Sequence, residues 1–485
     1  MVTKFDPKLY PRRVRYAALL TVNVFVFMGN MYSSGIATGF ESLAMDLHVS
    51  YQKLADLISW SVLSMGLANL FWMPLALTFG KRPIVLISMA MFVAGIIWTV
   101  VAQDYNSLMG ARVFASFGYG SIESLGPSIL ADLFHERNYS SAMAMYALFL
   151  SAGSQVGPVI AGYLVAARGW RWFFIVCLIV AAVNMVTTFF FLPETMYEPD
   201  PEDEQEDEFE EKNDTVHSHI ESLPRLTPQS RAQQFSYGDY WKGLFQVGLS
   251  TEAKTKGVFK FLGYAAWLPI PMLLLPGVLL ASMMYGVVLG AVVSISTLAS
   301  SIFSAPPYLF SSGALGLWTL GSFIGIIVVA PVAGPLTDAL SQFLRRRNNN
   351  VHKPEHRIPA LIVPFCIAPV GLVVFGYTTA HQMHYALPAL GSAMCAAGLT
   401  LVPSVMLSYV VDSYPHASGE ALVLVNVSKN VVAFGLSKGS VDWMMQQGLA
   451  KMFYEFAAIE WAVLALGLPL YFAGPWIRKR TAKYF

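Results

Sequence analysis

The chain has 485 residues, of which 55% are hydrophobic and 13% are charged, with a net charge of +1. A soluble domain carries about twice this charged fraction, and apolar blocks of roughly 20 residues are long enough to cross a bilayer core of about 30 Å. The composition therefore indicates a polytopic membrane protein, excludes an ordinary soluble enzyme and gives no sign of a nucleic-acid partner.

Twelve apolar segments are long enough to span a membrane. In the first half of the chain they cover residues 17–39, 54–78, 84–103, 107–131, 140–166 and 171–192. In the second half they cover residues 268–297, 313–335, 358–380, 384–411, 418–444 and 455–475. This pattern predicts an all-α membrane protein with two six-helix bundles. The predicted divisions are a tail at 1–16, a first bundle at 17–192, a linker at 193–260, a second bundle at 261–476 and a tail at 477–485.

Basic residues predict the orientation of these spans. If both termini lie on one side of the membrane, that side collects 24 of the 31 Lys and Arg residues, and the opposite loops carry four. Cytosolic loops carry the excess of Lys and Arg, so we expect both termini and the central loop in the cytosol, most naturally at the plasma membrane. The acidic run from Glu198 to Thr215 predicts a disordered tether, with a regulatory or partner-binding role as the alternative.

Two loops carry related motifs. Span 8 is followed by Gly334-Pro-Leu-Thr-Asp338 and then by a basic cluster at 345–347, and span 2 ends at Gly80-Lys81-Arg82. These resemble the two copies of the loop signature G-x-L-x-D-R-x-G-R-[RK] of the major facilitator superfamily. The first copy departs from the signature because Leu77 stands where the family usually has aspartate, and the second because its basic cluster is displaced.

The fifth span contains GSQVGPVIAG, from Gly153 to Gly162. It resembles the antiporter signature G-x-x-x-G-P-x-x-G-G of the same superfamily, with Ala161 replacing one glycine. Small residues at this spacing allow close helix packing, and Pro158 permits a bend. The resemblance implies that Gly153, Gly157, Pro158 and Gly162 line a seam on which the halves rock, although membrane helices of every function use such spacing for plain packing.

Longer stretches are similar to a fungal branch of this superfamily that is related to drug:proton antiporters and includes N-acetylglucosamine and polyamine permeases. They include FWMPLALTFGKRP in span 2, GARVFASFGYGSIESLGPSILADLFHERN in span 4 and DSYPHASGEALVLVNVSKNVVAF in span 11. The similarity covers nearly the whole chain outside the central loop. It implies transport without specifying the solute.

Ionisable residues within spans are expensive and face a cavity or a partner. Arg112 and Glu123 in span 4 are eleven residues apart, so on a continuous helix they share a face at a separation of about 16 Å. A carboxyl in a dry cavity can hold a proton near neutral pH, which makes Glu123 the candidate for proton coupling. The alternative is that Glu123 or Arg112 forms a fixed salt bridge, and Arg112 favours this role because its guanidinium stays charged.

Span 11 presents Asn426, Lys429 and Asn430 on one helical face, with Lys429 about 16 Å from the predicted cytosolic end. Lys429 can bind an anionic or hydroxyl-bearing solute, or pair with Glu123 across the two halves. Further polar candidates lie in other spans, where they either contact solute or join helices: Asn23, Asn30 and Gln155.

Charged residues at the predicted cytosolic span ends are candidates for a gate whose salt bridges break as the halves move. Ordinary helix capping and solvated loop charges are the alternative. The candidate gate residues are Gly80, Lys81, Arg82, Asp132, Arg137, Asp338, Asp412 and Glu420.

The sequence predicts a transporter and not an enzyme. It contains no P-loop, no HExxH motif, no Cys/His cluster and no nucleophile paired with a base, so we expect no catalytic residue, no metal and no cofactor. The expected partners are a small-molecule solute, protons and the lipid bilayer, and no oligomer is implied. The favoured function is proton-coupled efflux of a drug-like compound or fungal metabolite by alternating access. Uptake of a polar solute such as N-acetylglucosamine, another sugar or a polyamine is the alternative, and a non-transporting receptor or scaffold is a third.

Overall fold

The structure is a computed structural model that describes residues 6–197, 249–348, 353–414 and 418–481. Most of the predicted linker therefore lies outside the described residues. The side chain of Arg137, one of the candidate gate residues, is also not described.

The described chain is built from helices. Its first part contains α1 (Arg12–Gly35), α2 (Phe40–Leu47), α3 (Tyr51–Phe79), α4 (Lys81–Val101), α5 (Tyr105–Tyr119), α6 (Ile122–Leu133), α7 (Glu136–Arg168) and α8 (Trp170–Phe191). Its second part contains α9 (Thr251–Lys256), α10 (Val258–Trp267), α11 (Pro276–Ser304), α12 (Ser312–Trp318), α13 (Leu320–Arg347), α14 (Ile362–Ala380), α15 (Ala386–Ser413), α16 (Ser418–Gln447), α17 (Leu449–Ala465) and α18 (Gly467–Thr481). Short 3₁₀ turns at Pro7–Leu9, Ile36–Gly39, Ile270–Leu274 and Pro354–Leu361 adjoin them.

Within the described ranges, eleven helical segments are long and apolar enough to cross a membrane. The remaining predicted span, at 107–131, is present as the shorter helices α5 and α6. Each of the twelve predicted spans therefore corresponds to one helix or to consecutive helical segments. The predicted all-α membrane fold with two sets of six spans is confirmed.

Span 4 is not the continuous helix that the sequence suggests. The backbone turns at Gly120 and Ser121, and α6 starts afresh at Ile122. A Cβ on Gly120 would lie 2.7 Å from the carbonyl oxygen of Met65, so glycine at this position lets α3 approach the turn closely. Glu123 consequently lies in the first turn of α6, where the helix dipole favours a negative charge.

Span 7 begins later than predicted. The sequence places it at 268–297, whereas α11 runs Pro276–Ser304. Proline is favoured at the first position of a helix because it has no N–H to leave unpaired, and its fixed φ suits the helix. The apolar residues before Pro276 belong instead to α10 and to the 3₁₀ turn at Ile270–Leu274.

Each half of the chain packs around its own apolar core. The first core consists mainly of residues from α1 to α8, and the second half has two clusters in which its own residues predominate. Two small residues cross over, because Ala433 of α16 joins the first core and Ala55 of α3 joins a cluster of the second half. The helices α3 and α16 therefore form a principal seam between the halves.

Twelve alternating spans define two faces of the bundle. We call the face that holds the start of α1 and the end of α18 the tail face, and the opposite face the distal face. The start of α3 and the end of α16 lie at the distal face. The sequence predicts that the tail face is cytosolic.

Candidate functional site

A buried ion pair joins the halves at mid-depth. Glu123 on α6 and Lys429 on α16 approach with their Oε1 and Nζ atoms 3.4 Å apart. Their side chains are only 8% and 6% exposed. Removing a charge from water is costly and is offset only by a close opposite charge, so each of these residues depends on the other. The contact is the cross-half arrangement that the sequence offered as one of two roles for Lys429.

Two residues complete the first ring of contacts around this pair. The Lys429 ammonium lies 4.6 Å from the centre of the Tyr285 ring, and its Nζ is 3.5 Å from the Tyr285 hydroxyl oxygen. The Asn430 amide donates to the Oε2 atom of Glu123 at 3.4 Å and to the Asn426 carbonyl oxygen at 3.0 Å. The Lys429 charge thus meets both a carboxylate and an aromatic face.

The polar cluster extends into α3. Ser124 donates to the Oδ1 atom of Asn69 at 2.6 Å, and the Asn426 amide donates to the Ser124 hydroxyl at 3.5 Å. A Cβ on Gly66 would lie 2.5 Å from the Cβ of Asn430, so α3 and α16 are in close contact here. We call Asn69, Glu123, Ser124, Tyr285, Asn426, Lys429 and Asn430 the central polar cluster.

Arg112 lies outside this cluster and fills a separate internal position. Its side chain is fully buried and donates to the backbone carbonyl oxygens of Leu57, Tyr32 and Ser33 at 3.3, 3.1 and 3.0 Å. The guanidinium also lies 4.8 Å from the centre of the Tyr32 ring. These contacts tie α5 to α1 and α3 within the first half. They support a structural role and involve no carboxylate.

The other predicted polar residues are dispersed. Asn30 donates to the Val26 carbonyl oxygen of its own helix at 2.9 Å. Gln155 is buried, and its backbone carbonyl accepts a hydrogen bond from Thr319 of the second half at 3.1 Å. Asn23 is fully buried, with both amide atoms unpartnered among the described residues. Within the described part of the chain, none of these three side chains forms a hydrogen bond with the central polar cluster.

The glycines of the fifth span face two different neighbours. Gly153 and Gly157 pack on α1 of the same half, because added Cβ atoms would meet Phe27 and Met31. Gly162 packs on Ser312 of α12, and a Cβ on Gly316 of α12 would lie 2.5 Å from the Pro158 carbonyl oxygen. The second pair of contacts joins the halves near the distal face.

The distal face carries a second set of contacts between the halves. Lys438 of α16 forms an ion pair with Asp56 of α3, with side chains 37% and 15% exposed. The Gln52 amide donates to the Oδ2 atom of Asp442 at 3.2 Å, and the hydroxyls of Ser437 and Ser59 are 3.0 Å apart. We call these six residues the distal latch: Gln52, Asp56, Ser59, Ser437, Lys438 and Asp442.

At the tail face, the ion pairs of the first half stay within that half. The Nζ atom of Lys81 lies 2.5 Å from Asp132. The Glu194 carboxylate accepts hydrogen bonds from the backbone N–H groups of Lys81, Arg82, Thr195 and Met196 at 2.9 to 3.2 Å. Burial raises the pKa of this carboxyl above its ordinary value, although the four donors act in the opposite direction. Gly80 packs against the same carboxylate.

The second half repeats this arrangement. Arg357 bridges Asp338 at 2.9 Å and Asp412 at 2.6 Å. Glu355 pairs with Arg478 through hydrogen bonds of 2.9 and 2.8 Å. Among the described residues, the ion pairs and side-chain hydrogen bonds that cross between the halves lie from mid-depth to the distal face. Glu420 lies in the first turn of α16.

Sequence analysis missed several members of these sites. Asp56 lies inside the predicted span at 54–78, and an acidic residue in an apolar span was the available signal. Asn69 lies within the same predicted span and carried the signal by which Asn23 and Asn30 were selected, a polar side chain in an apolar segment, whereas Tyr285 carried none. Their position beside Glu123 and Lys429 depends on how the helices pack.

A bundle of twelve spans in two halves, with charged residues at mid-depth between them, is the architecture of a class of membrane transport proteins. The sequence model of the Major Facilitator Superfamily matches residues 20–436. The chain therefore belongs to the Major Facilitator Superfamily, as its motifs predicted, and it is a membrane transporter.

Several fungal proteins are similar to this chain. The MFS transporter cpaT of Aspergillus oryzae is 25% identical, over 98% of this chain and 90% of the relative. The MFS-type transporter penM of Penicillium rubens is 25% identical, over 88% and 78%. Protein HOL1 of Saccharomyces cerevisiae is 21% identical, over 90% and 82%.

The fold is also similar to that of solved transporters. A crystal structure of a POT family transporter in complex with 5-aminolevulinic acid superposes with a TM-score of 0.65 at 15% identity, covering 96% of this chain and 97% of the other. At this identity the likeness establishes the fold alone.

Proposed function

We propose that the protein moves a polar organic solute across the membrane by alternating access, coupled to protons through Glu123. The observation that carries this proposal is the buried Glu123–Lys429 pair, which joins the two halves at mid-depth. A residue pair that only stabilised one half would not need to cross the seam. The pair lies where transporters of this architecture place solute and coupling-ion sites.

Protonation of Glu123 changes the link between the halves. When Glu123 is ionised, it holds Lys429 by charge attraction and accepts a hydrogen bond from Asn430. When Glu123 takes up a proton, Lys429 loses its counter-charge and the connection between α6 and α16 weakens. A proton and Lys429 therefore compete for the same carboxylate, which is the requirement for coupling proton binding to movement of the halves.

The distribution of cross-half contacts supports a conformation closed at the distal face. The distal latch and the packing of Gly162 on Ser312 join the halves there, whereas the tail-face ion pairs stay within each half. Since the tail face is the predicted cytosolic face, the solute site would open towards the cytosol. Breaking the latch would then be part of the change to the outward-facing state.

The chemistry of the central polar cluster favours a solute with charged or hydrogen-bonding groups. It offers a carboxylate, an ammonium, three asparagine amides, a serine hydroxyl and a tyrosine hydroxyl within a few ångströms of one another. An aromatic cavity would suit a drug-like compound better. We therefore place a sugar, an amino sugar or an amine ahead of a hydrophobic drug as the solute, and uptake ahead of efflux.

Flux into proteoliposomes tests this proposal. Purified protein is reconstituted and offered a panel of sugars, amino sugars, polyamines and hydrophobic drugs, with and without an imposed pH gradient. We expect pH-driven accumulation of a polar solute by the wild type. The Glu123→Gln variant should lose this accumulation and should still exchange solute when the pH is equal on both sides. Glu41→Gln, a change at an exposed carboxylate on α2, is the matched control and should behave like the wild type.

Three results would overturn parts of the proposal. Retention of pH-driven accumulation by Glu123→Gln would remove Glu123 from coupling. If only hydrophobic drugs were transported, against their gradient and from the tail face to the distal face, the efflux alternative would be established. Failure of every solute to move in the wild type would favour the non-transporting alternative.

A further inference from the structure

Glu460 is a buried carboxylate that has no role in the proposed transport mechanism. It lies on α17, in the middle of the span Leu449–Trp476, and is 1% exposed. Neither carboxylate oxygen has a hydrogen-bond partner among the described residues. The helix is fixed on both sides of it, because Phe456 is buried and the Trp461 indole donates to the Phe365 carbonyl oxygen at 3.0 Å.

The other buried carboxylates of the described chain each have an ion-pair or hydrogen-bond partner. Glu355 is 2% exposed and forms a bidentate pair with Arg478. Glu194 is 7% exposed and accepts four backbone hydrogen bonds. Glu123 has Lys429. Glu460 differs from these three because the described residues around it supply neither a cation nor a hydrogen bond to its carboxylate.

Where the structure describes the chain, the titratable groups around α17 offer Glu460 no counter-charge. The group that faces it is the thiol of Cys395 on α15, which is 1% exposed and donates to the Ala368 carbonyl oxygen at 3.6 Å. The remaining charged and titratable groups on the neighbouring helices have partners elsewhere or are exposed. Lys429 contacts Glu123 and Tyr285, Lys438 pairs with Asp56, and Asp442 accepts a hydrogen bond from Gln52. Arg478 pairs with Glu355, and Cys366 and Tyr377 are exposed.

An ionised carboxylate cannot persist in such a place. Moving an unpaired charge from water to an apolar interior costs so much free energy that the group neutralises instead. For a carboxylate, neutralisation means binding a proton. We infer that Glu460 is a second proton-binding residue of this protein, and that it holds its proton within the second half independently of Glu123 and Lys429.

This assignment gives each half one mid-span carboxyl that binds a proton. Glu123 is the one on α6 of the first half, and its charge is stabilised by Lys429 across the seam. Glu460 is the one in the second half, and its proton leaves only when water or a base reaches the carboxyl. Its protonation therefore reports on the packing of α17 against α14 and α11.

Infrared spectroscopy of the full chain in lipid nanodiscs tests the inference without any solute, so its outcome is independent of the transport proposal. At neutral pH we expect the carbonyl stretch of a protonated carboxyl in the wild type and its loss in Glu460→Gln. Glu455→Gln is the matched control on the same helix. Glu455 accepts from Trp443 at 2.8 Å and lies 3.8 Å from Lys451, so this change should remove an ionised carboxylate and leave the protonated band unchanged.

A thermal unfolding series provides the second measurement. If Glu460 is neutral and unpartnered, Glu460→Met removes an unsatisfied buried polar group and should raise the unfolding temperature. Loss of a carboxylate band instead of a carboxyl band in Glu460→Gln would overturn the inference. A lower unfolding temperature in both Glu460→Gln and Glu460→Met would overturn it as well, because it would reveal an ionised residue with a partner.

Discussion

The distal latch makes a measurable prediction about the balance between conformations. Lys438→Met keeps most of the side-chain volume and removes the charge that pairs with Asp56. The Lys438 side chain is 37% exposed, so its ion pair belongs with partly solvated pairs that contribute up to about 1 kcal/mol. A change of about 1 kcal/mol corresponds to about a fivefold shift in an equilibrium constant. We therefore expect the fraction of molecules open at the distal face to rise about fivefold.

A thiol at the seam reports this opening. Ser437 is fully buried and contacts Ser59 across the halves, so a cysteine placed there by Ser437→Cys should react with a membrane-impermeant maleimide only when the distal face opens. Cys366→Ser removes the exposed native thiol, and Cys177 and Cys395 are buried. With the protein in nanodiscs, Lys438→Met should accelerate labelling about fivefold relative to the same background with Lys438 intact.

Two further variants separate the latch from a general loosening of the fold. Lys451→Met removes the charge of an exposed pair within α17 and should leave the labelling rate unchanged. The exchange of charges in Asp56→Lys with Lys438→Asp should restore protection towards the wild-type rate. The reasoning is refuted if Lys438→Met labels no faster than the parent, or if the exchanged pair labels as fast as Lys438→Met alone.

Three other substitutions have defined outcomes. Arg112→Lys cannot reproduce the fork that reaches three carbonyl groups, so the protein should lose about 3 kcal/mol or more and show a much lower unfolding temperature in fluorescence-detected size-exclusion chromatography. Gly162→Ala forces a Cβ against Ser312 and should increase distal labelling in the assay above, whereas Gly439→Ala, where nothing lies within 4 Å, should not. Glu194→Gln replaces one of the two acceptor oxygens that hold backbone N–H groups with an NH2 donor and should destabilise the tail face by about 1–3 kcal/mol, with unchanged stability in the exposed Glu41→Gln as the control.

Hydropathy and small-residue motifs predict most of the fold. A span of apolar residues must satisfy its backbone internally, so twelve such segments leave little choice but twelve helical crossings. The same reasoning missed the break in span 4, where the turn at Gly120 accompanies the close approach of α3. It also placed the start of span 7 too early, because the apolar residues at 268–275 contain the 3₁₀ turn Ile270–Leu274 and precede the start of α11 at Pro276.

The sequence predicts which charged residues form the candidate site, but it does not predict which residues they contact. Glu123 and Lys429 attract attention in the sequence because ionisable residues are rare in membrane spans. Their pairing with one another was one of two alternatives, and only the packing of α6 against α16 favours it. Glu460 lies within the predicted span at 455–475 and carried the same signal, but the sequence does not reveal that its surroundings lack a partner.

The turn at Gly120 divides span 4 into two helical segments with different structural roles. The segment before the turn is anchored by Arg112, whose three carbonyl partners belong to neighbouring helices of the same half. The segment after the turn is a helix of 12 residues that begins beside Glu123. A small tilt of this short helix would carry the carboxylate away from Lys429 while Arg112 stayed in place, so the proposed protonation of Glu123 need not disturb the rest of the first half.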